Sequence, residues 1–130
     1  MTATISCVTL PVDDLQKSIA FYQGIGLTLE DGGAEDDQAS FDVDGVSLVL
    51  MERSEFSTFS ERTGNRPAGR GTSSAIISYF AESKGDVDAL IGKVKAAGGQ
   101  SPGAKDEEWG YAAYFADPDG HVWEVVHHQD

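Results

Sequence analysis

A chain of 130 residues with 40% hydrophobic and 24% charged side chains can bury one sizeable core without disulfide or zinc staples. Its 22 Asp and Glu against 9 Lys and Arg leave a net charge of −13, the wrong field for neutralising phosphates, so nucleic-acid binding is excluded. The single cysteine, Cys7, has no internal partner, the opening MTATISCVTLPVDD lacks a basic region followed by an apolar one, and no apolar run approaches ~18 residues. A cytoplasmic protein without membrane contact is expected.

Ile5–Val12 is a short run rich in β-branched residues and predicts a strand. Asp13 and Asp14 then offer capping oxygens to a helix whose apolar face is Leu15, Ile19 and Tyr22, ended by Gly24 and Gly26. An acidic, Gly-rich turn is expected over Glu30–Asp37. Two strands, Ala39–Val43 and Val46–Met51, flank Asp44 and Gly45, a strong hairpin signal. The same order recurs in the second half. Ser74–Phe80 predicts a strand, Asp86 is a candidate cap, and Val87, Leu90, Val94 and Ala97 form a helical face closed by Gly98 and Gly99. Tyr111–Ala116 and His121–Val126 then flank the turn Asp117-Pro118-Asp119-Gly120.

This internal repeat predicts an α+β chain of two βαβββ modules, residues 1–51 and 73–130, each with a curved sheet covered by a helix on its outer face. Residues 52–72 would link them. All four arginines (Arg53, Arg62, Arg66, Arg70) lie in that segment, with Phe56 and Phe59. It reads either as a loop with a short helical turn whose phenylalanines plug a sheet edge or as a lid over a cavity.

The stretches VDDLQKSIAFY (Val12–Tyr22) and GYAAYFADPDGHVWE (Gly110–Glu124) resemble the opening and closing motifs of the vicinal oxygen chelate superfamily, which includes glyoxalase I, bleomycin-resistance proteins and extradiol dioxygenases. The likeness covers essentially the whole chain as a single domain. It implies paired βαβββ modules forming a cupped sheet, a homodimer, and a site inside the cup. In metal-dependent members, inward-facing strand residues supply four ligands to a divalent ion. Those positions here read Cys7, Val49, Ser74 and Glu124. Only Glu124 fits. Val49 has no lone pair to give, Ser74 is a neutral hydroxyl, and Cys7 is a soft thiol where hard cations want oxygen or nitrogen. His121 and His127 lie three residues either side of Glu124, on the opposite strand face, and His128 is about 13 Å away along a strand.

No cofactor is therefore expected, with a divalent metal on a rearranged ligand set as the alternative. Glu124 remains the candidate acid/base, anchor for a donor-bearing ligand, or acceptor of bonds from neighbouring hydroxyls such as Ser74 or Thr9. Cys7 has no histidine near it in sequence and reads as a small buried thiol. The candidate pocket is Cys7, Thr9, Val49, Ser74, Ile76 and Glu124, rimmed by Trp109, Phe56 and Phe59. Tyr111 and Tyr114 fall on opposite strand faces, so at most one of them lines the site, while Trp123, opposite in parity to Glu124, belongs to the core. Aromatic faces around one carboxylate suit a planar or cationic small molecule. A metal-dependent lyase, isomerase or dioxygenase and a metal-free enzyme using Glu124 are the competing functions.

Overall fold

The computed structural model describes residues 3–33 and 35–128. The chain divides into two compact units, the first running to Arg70 and the second starting at Gly71. Segment 52–70 thus belongs with the first unit.

That unit holds strands β1 (Cys7–Val12), β2 (Thr28–Gly32), β3 (Gln38–Val43) and β4 (Val46–Glu52), with helix α1 (Leu15–Gly24). The sheet order is β1-β4-β3-β2, with β1 parallel to β4 and the other pairs antiparallel. Asp14 caps α1, its Oδ1 accepting from the Lys17 N–H at 3.1 Å. Leu15, Ile19 and Tyr22 are buried as the spacing predicts, and the Tyr22 ring meets Phe41 of β3 at 6.0 Å. Phe41, Leu48, Leu50, Leu10 and Val12 alternate onto this helix-covered face. Asp44 and Gly45 both take positive φ (51° and 91°), which matches the right-handed strand twist in a two-residue hairpin. Segment 52–70 is more ordered than a loop. It forms helix α2 (Arg53–Ser60) and one 3₁₀ turn (Glu61–Thr63), packed beside β1 and β4. Arg53 ties it back, its Nε 2.6 Å from Asp13 Oδ1 and its Nη1 donating to the Ala68 carbonyl.

The second unit repeats the plan with β5 (Ile76–Phe80), α3 (Lys84–Ala96), β6 (Ala104–Glu107), β7 (Gly110–Ala116) and β8 (Val122–His128), in the order β5-β8-β7-β6. Helix α3 starts earlier than Asp86 suggests. Ser83 is the cap, its Oγ accepting from the Asp86 N–H at 3.1 Å. Val87, Ile91 and Val94 are its buried stripe against β7 and β8. Trp123 is 6% exposed and stacks on Phe115 with centroids 5.9 Å apart. The β7–β8 turn is held by Asp117, whose buried Oδ1 accepts from the N–H groups of Asp119 (3.0 Å) and His121 (2.9 Å). No helix among the described residues is long and apolar enough to cross a membrane.

Two strands, β2 and β6, lie where no strand pattern is visible in the sequence. β2 takes over the start of the expected Glu30–Asp37 turn, because β3 supplies a hydrogen-bonding edge that outweighs weak local propensity.

Candidate functional site

Each sheet has one helix-covered face and one open face, and alternation decides which residues reach the open one. In the first unit these are Cys7 and Thr9 of β1, Ser47, Val49 and Met51 of β4, and Gln38 and Ser40 of β3. Cys7 aligns with Ser47 and Thr9 with Val49. They border a shallow hollow of about 500 Å³. Phe59 of α2 stands with Met51 and Gln38 on an adjoining hollow, 46% exposed, with the Arg62 guanidinium 4.9 Å from its ring centre. Phe56 is half-buried on the same helix.

In the second unit the open face carries Ile76 and Ser78 of β5, Val122 and Glu124 of β8, and Tyr114 and Ala116 of β7. Glu124 lies between two hydroxyls in cross-strand register. Ser78 Oγ donates to Oε1 at 2.9 Å and Tyr114 Oη donates to Oε2 at 2.7 Å. Both carboxylate oxygens are therefore engaged by the protein's own sheet. The Tyr114 phenol is raised above the ordinary value of 10.0, first by its bond to Glu124, then by desolvation and by the charges of Glu124 and Glu107. Tyr111 is on the helix side, its hydroxyl donating to Asp88 of α3 at 2.7 Å, and that bond is the main cause of its own raised value. Of the two tyrosines, Tyr114 is the one on the open face.

Several expectations need correction. Cys7 is exposed rather than a core thiol, because it opens an edge strand on the uncovered face. Ser74 lies ahead of β5, outside the sheet. The position in register with Cys7's is Ile76, since Cys7 aligns with Ser47 two residues before Val49, and Ile76 with Val122 two residues before Glu124. The hydroxyl that meets Glu124 is Ser78, which the sequence reading passed over. Counting back from the two helix caps would have found it: Thr9 is five residues before Asp14, and Ser78 five before Ser83. Trp109 is at the tip of the β6–β7 hairpin, five residues along the chain from Glu124's partner Tyr114. His127 is half-buried, with Nδ1 3.2 Å from the Ala81 carbonyl oxygen, while His128 is exposed, its ring edge-on to Phe80.

Residues 4–125 match the family model described as the Glyoxalase/Bleomycin resistance protein/Dioxygenase superfamily. The chain belongs to this superfamily. Among solved structures it is similar to a glyoxalase-related enzyme from Fulvimarina pelagi, with 25% identity over 97% of this chain and 88% of that one and a TM-score of 0.81. It is also similar to a lactoylglutathione lyase from Agrobacterium tumefaciens (22% identity, 97% and 94% covered, TM-score 0.74). A third likeness is to a mutant of the fosfomycin resistance protein FosX from Listeria monocytogenes, solved with Mn(II) and 1S,2S-dihydroxypropylphosphonic acid (22% identity, 99% and 93% covered, TM-score 0.73). The last two likenesses carry the fold alone.

The divalent ion used by metal-dependent members of the superfamily does not fit the residues present. In register, the four positions are Cys7, Val49, Ile76 and Glu124, two of them hydrocarbon. Among the described residues, no group of three or more His, Cys, Asp and Glu side chains is placed to hold a metal ion. The one good oxygen donor already accepts two hydrogen bonds.

The Tyr114 contact has a pH signature. Because its folded value is raised, the stability it contributes is fully present below the unfolded value near 10 and is lost as pH rises through the raised one. Phenolate absorbance should show Tyr114 ionising later than a free phenol, with Glu124→Gln bringing it earlier. An unchanged titration in that variant would remove the contact from solution.

Proposed function

We propose that this superfamily member binds a small organic molecule on the open strand face around Glu124 and does so without a catalytic divalent ion. The observation that carries this is the engagement of both Glu124 oxygens by Ser78 and Tyr114. A carboxylate held that way is pre-oriented, so a ligand meets it without ordering it first. Hydrocarbon at Ile76 and Val122, on the same strand face as Glu124, provides apolar contact. Function of this kind is nearer the drug-sequestering members than the glyoxalases. The protein would act in the cytoplasm, and its net charge of −13 raises the local concentration of cationic ligands. A fragment screen read by amide chemical shifts tests the reading. Saturable shifts should gather at Ser78, Tyr114 and Glu124 and weaken in Glu124→Ala. Hits confined to other surfaces would contradict it.

One observation favours a second reading, metal-free proton transfer: the Tyr114 hydroxyl donates a hydrogen bond to Glu124 Oε2 at 2.7 Å, which joins a phenol and a carboxylate on one face. Turnover of a bound ligand that disappears in both Tyr114→Phe and Glu124→Gln would select it.

The active species is proposed to be a homodimer. Ile76, Tyr79 and Phe80 are 59%, 47% and 68% exposed on β5, an edge of its sheet. An uncovered apolar edge strand templates further pairing unless something seals it, and a second copy does so symmetrically. Light scattering should give twice the chain mass, and Phe80→Lys should return the protein to monomer. A monomeric wild type would refute this.

A further inference from the structure

The hydrogen bonds at Glu124 specify what kind of head group can join them. Ser78 and Tyr114 each spend their only O–H on the carboxylate, at 2.9 and 2.7 Å. What they still offer a ligand is oxygen lone pairs, as does Glu124 itself. The cluster is therefore composed of acceptors and carries negative charge. A ligand carboxylate or phosphate would find no donor there and would meet repulsion. The surroundings reinforce this polarity. Glu107 acts on Tyr114 through its negative charge, and Lys105, aligned with Ala112, stands on β6, two strands from β8.

The same face has an apolar extension. Segment 100–102 runs beside the end of β7, fixed by the paired backbone bonds between Gln100 and Ala116 and by Ser101 Oγ donating to the Tyr114 carbonyl at 2.7 Å. Between this segment and the sheet is a hollow of about 440 Å³ lined by Pro102, Tyr114, Ala116 and Val122 among others. Tyr114 belongs to both parts: its hydroxyl reaches Glu124 and the residue borders the hollow. Val122 and Glu124 are two residues, about 7 Å, apart along one strand face, so the hollow adjoins the carboxylate.

We propose that the ligand is an organic cation, with an ammonium or amidinium head donating to Glu124, Ser78 and Tyr114 and a hydrocarbon or aromatic arm lying against Pro102, Ala116 and Val122. This rests on the binding function proposed above and adds the chemical class of what is bound. The head gains charge-assisted bonds, which are the stronger kind, while the arm is removed from water.

Three probes with one arm and different heads test the class: 4-phenylbutylamine, 4-phenylbutanol and 4-phenylbutyrate, each titrated into ¹⁵N-labelled protein. The amine should give saturable shifts at Ser78, Tyr114, Ala116, Val122 and Glu124, bind about tenfold or more tightly than the alcohol, and leave the butyrate without effect. Glu124→Gln keeps the shape but removes the charge, its carbonyl oxygen accepting from one hydroxyl and its amide N–H donating to the oxygen of the other. It should reduce that preference to near parity while the amide spectrum stays dispersed. Butyrate binding as tightly as the amine, or an undiminished preference in Glu124→Gln, overturns the cation assignment and leaves small-molecule binding standing. Absence of shifts at these residues with all three probes overturns both.

Discussion

Trp123→Ala is expected to lower the free energy of unfolding by about 3–5 kcal/mol, and Glu124→Ala, at the next residue, by less than about 1 kcal/mol. The difference follows from strand alternation. Trp123 is 6% exposed, stacked on Phe115 and directed to the face that α3 covers, so truncation leaves a cavity in the core of the second unit. Glu124 is on the open face, where removing it returns the hydroxyls of Ser78 and Tyr114 to water at little cost. Chemical denaturation of the two variants measures both values. Equal losses would mean that Glu124 is structural, and the assignment of the open face as a binding surface would fail with it.

The second large effect concerns the turn that delivers β8. Gly120 has φ +92°, and a Cβ built there would lie 2.8 Å from Gly71 Cα and 3.1 Å from Gly71 N. Both neighbours are backbone, and Gly71 is itself held by its N–H donating to the Asp119 carbonyl at 2.8 Å, so they cannot rotate aside. Gly45 is the natural control. Its φ is nearly the same, +91°, but nothing lies within 4 Å of the equivalent Cβ. Gly45→Ala should therefore cost only the conformational part, about 1 kcal/mol, whereas Gly120→Ala should cost about 2–4 kcal/mol through added displacement of the 71 segment. Thermal unfolding of the pair separates the two contributions. Indistinguishable midpoints would show that the Gly71–Gly120 contact does not persist in solution.

Much of this architecture was legible because the sequence states it twice. The strand–helix–strand order, the Asp-Gly turns and the core positions of Leu15, Ile19, Tyr22 and Trp123 all follow from periodicity and turn chemistry, and those side chains are buried. What stayed hidden shares a cause. β2 (TLEDG) and β6 (AKDE) are outermost in their sheets and rich in charge, so they lack alternating apolar residues and exist through pairing with β3 and β7. Charges suit such edges because they discourage further pairing.

The candidate site was half legible for the same reason. Parity separates Trp123 from Glu124 and Tyr111 from Tyr114, since alternation is a local property of one strand. Register between strands is not local. Ser74 reads as a neighbour of Glu124 because the strand is expected to begin there, whereas β5 begins at Ile76 and its pairing with β8 sets Ser78 against Glu124. The exposure of Cys7 was missed because a thiol in an apolar run reads as core, and only the sheet order shows that β1 is an edge.

If Glu124 serves hydroxyls and a ligand rather than a cation's coordination shell, divalent ions should find no site there. Isothermal titration of Mn²⁺, Ni²⁺ and Zn²⁺ into metal-stripped wild-type protein, repeated with Glu124→Ala, measures this. No stoichiometric heat that depends on Glu124 is expected. One ion bound per chain with micromolar affinity or tighter, abolished by Glu124→Ala, would contradict it.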